Sequence, residues 1–298
     1  MIYYYILSLL IITLVILTIY YIYTVYTSVP FKNGKNEEHL YYMSYEETAL
    51  FLQRDEDKYV ANLSPLDLYA RKVSSKDEYI NIIKGEATHF NKGDKLILDG
   101  CTKKADELLR NININTISSE SNIEYSKYLN YKDIANIQWV LAITRNDNGG
   151  KYEDGLPHTR KNIIFLSQDV LNYSEDEIIK LLIHEKIHIY QRQNEALFKT
   201  IIYNMGYAEI QVSASPESPE ISQDKLKYIR SNPDVNNKIY KNIHTGELMI
   251  CLYSSDKPQR INDVIVQDYS MEHPYEKIAY EISEHIYNIH KIEKYKQI

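Results

Sequence analysis

His184 and His188 stand four positions apart, with Glu185 directly after the first, in the stretch LLIHEKIHIYQ from Leu181 to Gln191. On a helix, positions i and i+4 share one face, so both imidazoles can direct a ring nitrogen to a single point. Glu185 falls about 100° round the helix axis, close enough to reach a metal-bound water without ligating the metal. Two imidazoles converging in this way suit one Zn2+ ion, which takes a third protein ligand and keeps a fourth position for water. The chemistry is metal-assisted hydrolysis, with Glu185 as the general base.

These residues need a rigid element beneath them. Ser174 and Glu177 form an S-x-x-E capping box, and Glu175 and Asp176 suit the positive end of a helix. The pattern predicts a helix from about Glu175 through the motif to Met205, with Gly206 as its stop and Ile183 and Ile187 packing inward. A third ligand must come from another element. The segment MEHPYEKIAYEISEHI, from Met271 to Ile286, predicts a helix opened by Pro274. Its buried stripe is Ile278, Ala279, Ile282, Ile286 and Ile289, and periodicity leaves both Glu276 and Glu281 flanking it. Helical geometry alone does not choose between the two acids.

The rest of the chain frames this pair of helices. From Ile2 to Tyr26 there is no charged residue, and the run would span roughly 37 Å as a helix, enough for a bilayer core of about 30 Å. Tyrosines gather at both ends, the segment lacks a basic n-region, and no small-residue cleavage pattern follows. The expectation is a single-pass membrane anchor over residues 1–28, a polar stalk over 29–45 and a soluble body over 46–298. Runs at Ile137–Thr144 and Asn162–Ser167 predict strands, and Lys95–Arg110 a further helix. The Ser/Pro/acidic stretch from Ser213 to Lys225 marks a loop or insertion at about 207–245. Strands and helices mix without regular alternation, which predicts an α+β body. A net charge of -7 gives no basic field for nucleic acid. Cys101 and Cys251 are too few and too distant for a disulfide framework or a metal knuckle.

HEKIH at 184–188 together with EKIA at 276–279 resembles the gluzincin pattern of zinc metallopeptidases. In that pattern HExxH on one helix is joined by the glutamate of an ExxA or ExxS segment on a later one. The resemblance implies a zincin-like fold: a small sheet with an edge strand, an active-site helix and a C-terminal ligand-bearing helix. It also implies Glu276 as third ligand, Glu185 as base and a polypeptide substrate. The chain departs from the pattern at Tyr280, where many members carry an aspartate that hydrogen-bonds a ligand histidine. LPHTRKNIIFLS, from Leu156 to Ser167, resembles the edge strand that pairs with extended substrate, with Asn162, Ile163, Ile164 and Phe165 as candidates. The family stabilises the developing oxyanion with a nearby His or Tyr, and the candidates here are His273, Tyr280 and His158, with Tyr275 and His244 behind them. With HIYQR and a composition typical of AT-rich genomes, the chain is similar to predicted membrane-anchored metallopeptidases of large DNA viruses, which implies a host or virion membrane. The specific motifs cover about a third of the chain.

Overall fold

The computed structural model describes Thr13 and residues 39–112, 124–145, 152–210, 221–265 and 272–296. The chain divides into two units, Met1–Glu38 and His39–Ile298, and the architecture below is that of the second. Apart from Thr13, the expected membrane anchor over 1–28 and the stalk up to Glu38 lie outside the described residues. Among the described residues, no helix is long and apolar enough to cross a membrane. The stalk expected to reach residue 45 ends sooner: strand β1 (Leu40–Tyr42) is already paired into the sheet.

The chain follows β1 with helix α1 (Tyr45–Arg54), two short helical turns, α2 (Lys76–Ile83), α3 (Lys92–Asn111) and α4 (Tyr131–Asn136). Then come β2 (Trp139–Thr144), β3 (His158–Arg160) and β4 (Ile163–Ser167). Side-chain caps start the helices: Ser44 with Glu47 at α1 and Asn91 with Asp94 at α3 close reciprocal capping boxes. The main sheet has the order β1-β2-β4-β3, with β1, β2 and β4 parallel and β3 antiparallel at one edge.

Every residue of β2 and β4 is buried, as central strands covered on both faces require. Their alternation divides two cores. Trp139, Leu141, Ile164 and Leu166 face one core with α3. Val140, Ala142, Ile163 and Phe165 face the other, with Phe51, Leu52, Tyr79 and Ile83 of α1 and α2.

The first core is completed by α5 (Glu175–Gln193), α6 (Glu195–Asn204) and the C-terminal α7 (Pro274–Lys296). α5 begins at the expected capping box of Ser174 and Glu177. It does not run unbroken to Met205. Asn194, at φ -131° and ψ 40°, breaks the helix, and its side-chain amide donates to the Tyr190 carbonyl that the break leaves without a helical partner. Gly206, at φ 84°, ends the second piece in a conformation that suits glycine. The region expected as a loop or insertion at 207–245 is more structured than its composition suggests. β5 (Tyr207–Ile210), β6 (Ile239–Asn242) and β7 (Leu248–Met249) form an antiparallel sheet of their own, and a two-stranded sheet of β8 (Leu252–Tyr253) and β9 (Val264–Ile265) follows. Residues 211–220 of that region lie outside the described residues. The architecture is mixed α+β.

Candidate metal centre

α5 and α7 pack along one another, and their contact brings the histidine pair to the first turn of α7. Ile183 and Ile187 are fully buried on α5, as are Ile278, Ala279 and Ile282 on α7, so both helices are fixed in rotation by the core they share. Ile289, expected in the same stripe, is only half-buried. His184, His188 and Glu276 offer three ligand atoms that all lie within 4.8 Å of one another. The Nε2 atoms of the two histidines are 3.0 Å apart. Glu276 Oε2 is 3.3 Å from Nε2 of His184 and 3.5 Å from Nε2 of His188. Ligands on a tetrahedral ion with bonds near 2.1 Å are separated by about 3.4 Å, so the three atoms stand close enough together to share one metal ion.

The electrostatics favour a positive charge at that point. Burial pulls the His188 imidazolium down, yet the adjacent Glu276 carboxylate outweighs it and holds the pKa above the ordinary value. Burial pushes Glu276 up, but the two histidines hold it well below the usual carboxylate range. The tautomer of His188 is set from behind. Gln191 donates its amide to the Tyr275 carbonyl at 2.9 Å, which turns its oxygen toward Nδ1 of His188 at 2.8 Å. Nδ1 is therefore the donor, and the lone pair of Nε2 faces the site.

Glu185 is buried and lines a cavity of about 430 Å³ that also meets His184, Glu276, His158 and Tyr280. Its Oε2 has no hydrogen-bond partner among the described residues. Burial, then the charges of Asp234 and Glu276, push its carboxyl well above the usual range. A buried carboxyl with an uncommitted oxygen, beside three converging ligands, can take up or release a proton in the cavity.

The other expected residues separate clearly. Glu281, the alternative third ligand, points elsewhere: it accepts from the Tyr125 hydroxyl and pairs with Lys277 at 3.1 Å. Tyr280 is at the site, its ring packed edge-on against His184 with centroids 4.5 Å apart. Burial and the nearby acids, Glu276 first, raise its hydroxyl pKa, so it stays a donor. His158 also lines the cavity, buried and stacked on Phe165, with Nδ1 against the Leu156 carbonyl and Nε2 without a partner. His273 does not reach the cavity: Nδ1 accepts from the Tyr275 amide and Nε2 meets Asn236. Tyr275 is buried against Phe198, and His244 is exposed in a turn beside Gly206.

The substrate-strand expectation for Asn162, Ile163, Ile164 and Phe165 is corrected. The last three lie in β4, which is paired to β2 on one side and β3 on the other, and Asn162 belongs to the turn before it. An interior strand has no backbone edge to offer; the edge is β3.

Several residues of the site carry no signal in a local pattern. Asp234, Asn232 and Arg192 approach from loops or from the far turn of α5. Asn232 donates to Glu276 at 2.8 Å, and Arg192 donates to the Thr159 and Pro233 carbonyls at 2.9 and 2.6 Å. Gln191 alone could have been found, since it stands three residues after His188 on the same helix. Comparison with protein-family models, with curated proteins and with solved structures gives no match.

Proposed function

We propose that the chain is a zinc-dependent hydrolase of the gluzincin type, with a zincin-like body, that cleaves peptide bonds. Its ligands are His184, His188 and Glu276, and its general base is Glu185. The observation that carries the reading is the convergence of three ligand atoms, close enough together to share one metal ion, beside a buried carboxyl with an uncommitted oxygen. A zinc ion in that set would supply Lewis-acid polarisation and acidify a water toward a pKa near 7.

The protein's own groups account for the remaining steps. Oε2 of Glu185 faces no competing donor, so it is placed to accept the proton of the attacking water and later to deliver it to the leaving amine. For the oxygen on which charge develops the donor in this reading is the Tyr280 hydroxyl, whose ring packs against His184 at the cavity wall, with His158 as the alternative. Gln191 holds the His188 ring through the reaction. A purely structural site would need a fourth protein ligand. Among the described residues the group stops at three, and a cavity adjoins it.

The uncharged run from Ile2 to Tyr26 supports a membrane-anchored form, and the acidic net charge supports a partner other than nucleic acid. A second reading, hydrolysis of a short non-peptide amide, is favoured by one observation: the outward backbone groups of Thr159 on β3 are already hydrogen-bonded within the chain.

The test is metal analysis and peptide cleavage by the full chain and three variants. Glu185→Gln keeps near-stoichiometric zinc and loses cleavage by a factor on the order of 10²–10⁴. His184→Ala and Glu276→Ala lose the metal. Retention of zinc by Glu276→Ala would remove the proposed ligand set.

A further inference from the structure

Thr159 is the middle residue of edge strand β3, and its N–H and C=O both point away from the sheet. The N–H is donated to Asp234 Oδ1 at 2.5 Å, and the hydroxyl to the same oxygen at 2.9 Å. The C=O accepts from Arg192, whose same nitrogen donates to Pro233 O. Lys161 O also meets Arg192, at 3.4 Å. An extended peptide adding to this edge would need those same groups.

The segment that carries Asp234 and Pro233 continues across the centre. Arg230 pairs with Glu272, Ser231 bonds Asp67 through its amide and hydroxyl at 3.0 and 2.7 Å, and Asn232 reaches Glu276. Asp234 ends the run, its Oδ1 on the Thr159 amide and hydroxyl. All five residues from Arg230 to Asp234 line the cavity. The segment is irregular chain, anchored at one end by the Arg230 amide on Cys251 O and at the other by the start of β6 at Ile239. Between those anchors it is fastened through side chains, which can be released one at a time without unpairing a sheet.

We propose that Arg230–Asp234 is an intramolecular strap: it occupies the backbone-pairing edge of the substrate cleft and has to swing away before an extended polypeptide can bind. The proposal rests on the hydrolase reading above, and it replaces a permanently open cleft with one that opens. The strap stands in for a bound chain at two places: the Asp234 carboxylate takes the Thr159 N–H, and the Asn232 amide meets the metal ligand Glu276. Polypeptide substrates then compete with the protein's own segment, whereas a ligand small enough to need only the metal does not.

The experiment uses the zinc-loaded full chain as wild type, Ser231→Ala, Pro233→Gly and the double variant. The first substitution removes a fastening to Asp67, and the second loosens the backbone. Two probes are titrated: acetohydroxamate, which needs only the metal, and a tetrapeptidyl hydroxamate of alanine and leucine, which needs the edge as well. The expected result is a long probe bound at least tenfold more tightly by the double variant, with acetohydroxamate unchanged within twofold. Equal binding of the long probe, absence of binding in every form, or weaker binding by the variants would each overturn the strap.

Should the double variant fail to fold, hydrogen exchange in the wild type decides. The Thr159 amide and residues 231–238 then exchange together, well ahead of Ile164 in β4, and exchange of Thr159 as slow as that of Ile164 refutes the idea. Casein cleavage is scored separately. A tenfold gain in long-probe binding without cleavage by any form sustains the strap and removes the hydrolase reading, and cleavage with equal probe binding does the reverse.

Discussion

Replacing Gln191 by methionine tests whether the centre is oriented from behind as the geometry requires. Gln191 is fully buried, and its amide spans Nδ1 of His188 at 2.8 Å and the Tyr275 carbonyl at 2.9 Å. Methionine nearly preserves the volume and deletes both bonds, so the change isolates polarity from packing. Two buried polar groups then lose their partner, at about 1–3 kcal/mol each, which destabilises the metal-free fold by about 2–6 kcal/mol. At roughly 2–4 °C per kcal/mol for a body of this size, Tm falls by at least roughly 4 °C. Zinc affinity should fall by a further ~10–100-fold, because the ring is free to rotate and Nδ1–H loses its acceptor.

Competitive zinc titration against a chromophoric chelator at pH 7.5 measures the second effect, and calorimetry of the metal-free protein measures the first. Gln193→Met, on the exposed side of the same helix, is the control and should leave both unchanged. A Gln191→Met protein that melts early yet binds zinc within twofold of the wild type would refute the orienting role. The deletion would then have exposed a folding contact and nothing more.

Tyr280→Phe retains zinc and lowers kcat by a factor on the order of 10–10³ with little change in KM, and an unchanged kcat would move the oxyanion donor to His158. Glu281→Ala leaves metal content at wild-type stoichiometry, since its side chain serves Tyr125 and Lys277, and loss of zinc there would reopen the choice of third ligand. Ile187→Ala, one residue before a ligand and fully buried, lowers stability by about 2–5 kcal/mol in denaturant titration, and a cost below ~1 kcal/mol would mean that α5 is not fixed by its core face. For pH dependence, burial pushes the Glu153 carboxyl up, but the Arg71 guanidinium outweighs it and brings the pKa from an ordinary 4.5 to about 2. A depressed acid stabilises the fold above its unfolded pKa, so about 3 kcal/mol present at neutral pH is lost as pH falls from 4.5 toward 2. Glu153→Gln should flatten the stability profile in that window, and an unaltered acid limb would refute the assignment.

What could be read from the sequence divides by how far apart the interacting residues lie. The histidine pair, the capping box at Ser174 and Glu177, and the start of α7 at Pro274 depend on contacts within one or two helical turns, and a one-dimensional pattern contains those contacts. The break at Asn194 is also local, yet no pattern in the sequence marks it. An asparagine that can satisfy the Tyr190 carbonyl differs from one that continues a helix only in its backbone angles. Glu276 and Glu281 flank the same stripe, and helix periodicity could not separate them. Tyr125, supplied from a distant segment, engages Glu281. The apolar run marks β4 as a strand, but hydropathy does not record which strands are its neighbours, so it cannot tell that the edge is β3.

The unforeseen part of the centre shares one property. Asp234, Asn232 and Arg192 act on Glu185, Glu276 and Thr159 from positions set by tertiary packing, and each is polar, buried or half-buried, and spent on another residue of the site. In a solvated loop such side chains would be unremarkable, and Ser231–Asp234 falls within the stretch at about 207–245 that the sequence marks only as a loop or insertion. Removed from water, each has to find a partner or cost several kcal/mol, so their convergence on one cleft is maintained by the fold's own energetics. Release of the strap must therefore supply new partners for the groups it uncovers. The group it uncovers on the edge is the Thr159 N–H, since the Thr159 C=O keeps Arg192 of α5; an extended backbone can bring a carbonyl to that N–H, and a ligand that reaches only the metal leaves it unpaired. The same desolvation that holds the segment down thus favours, among the molecules able to lift it, one with the hydrogen-bonding pattern of an extended chain.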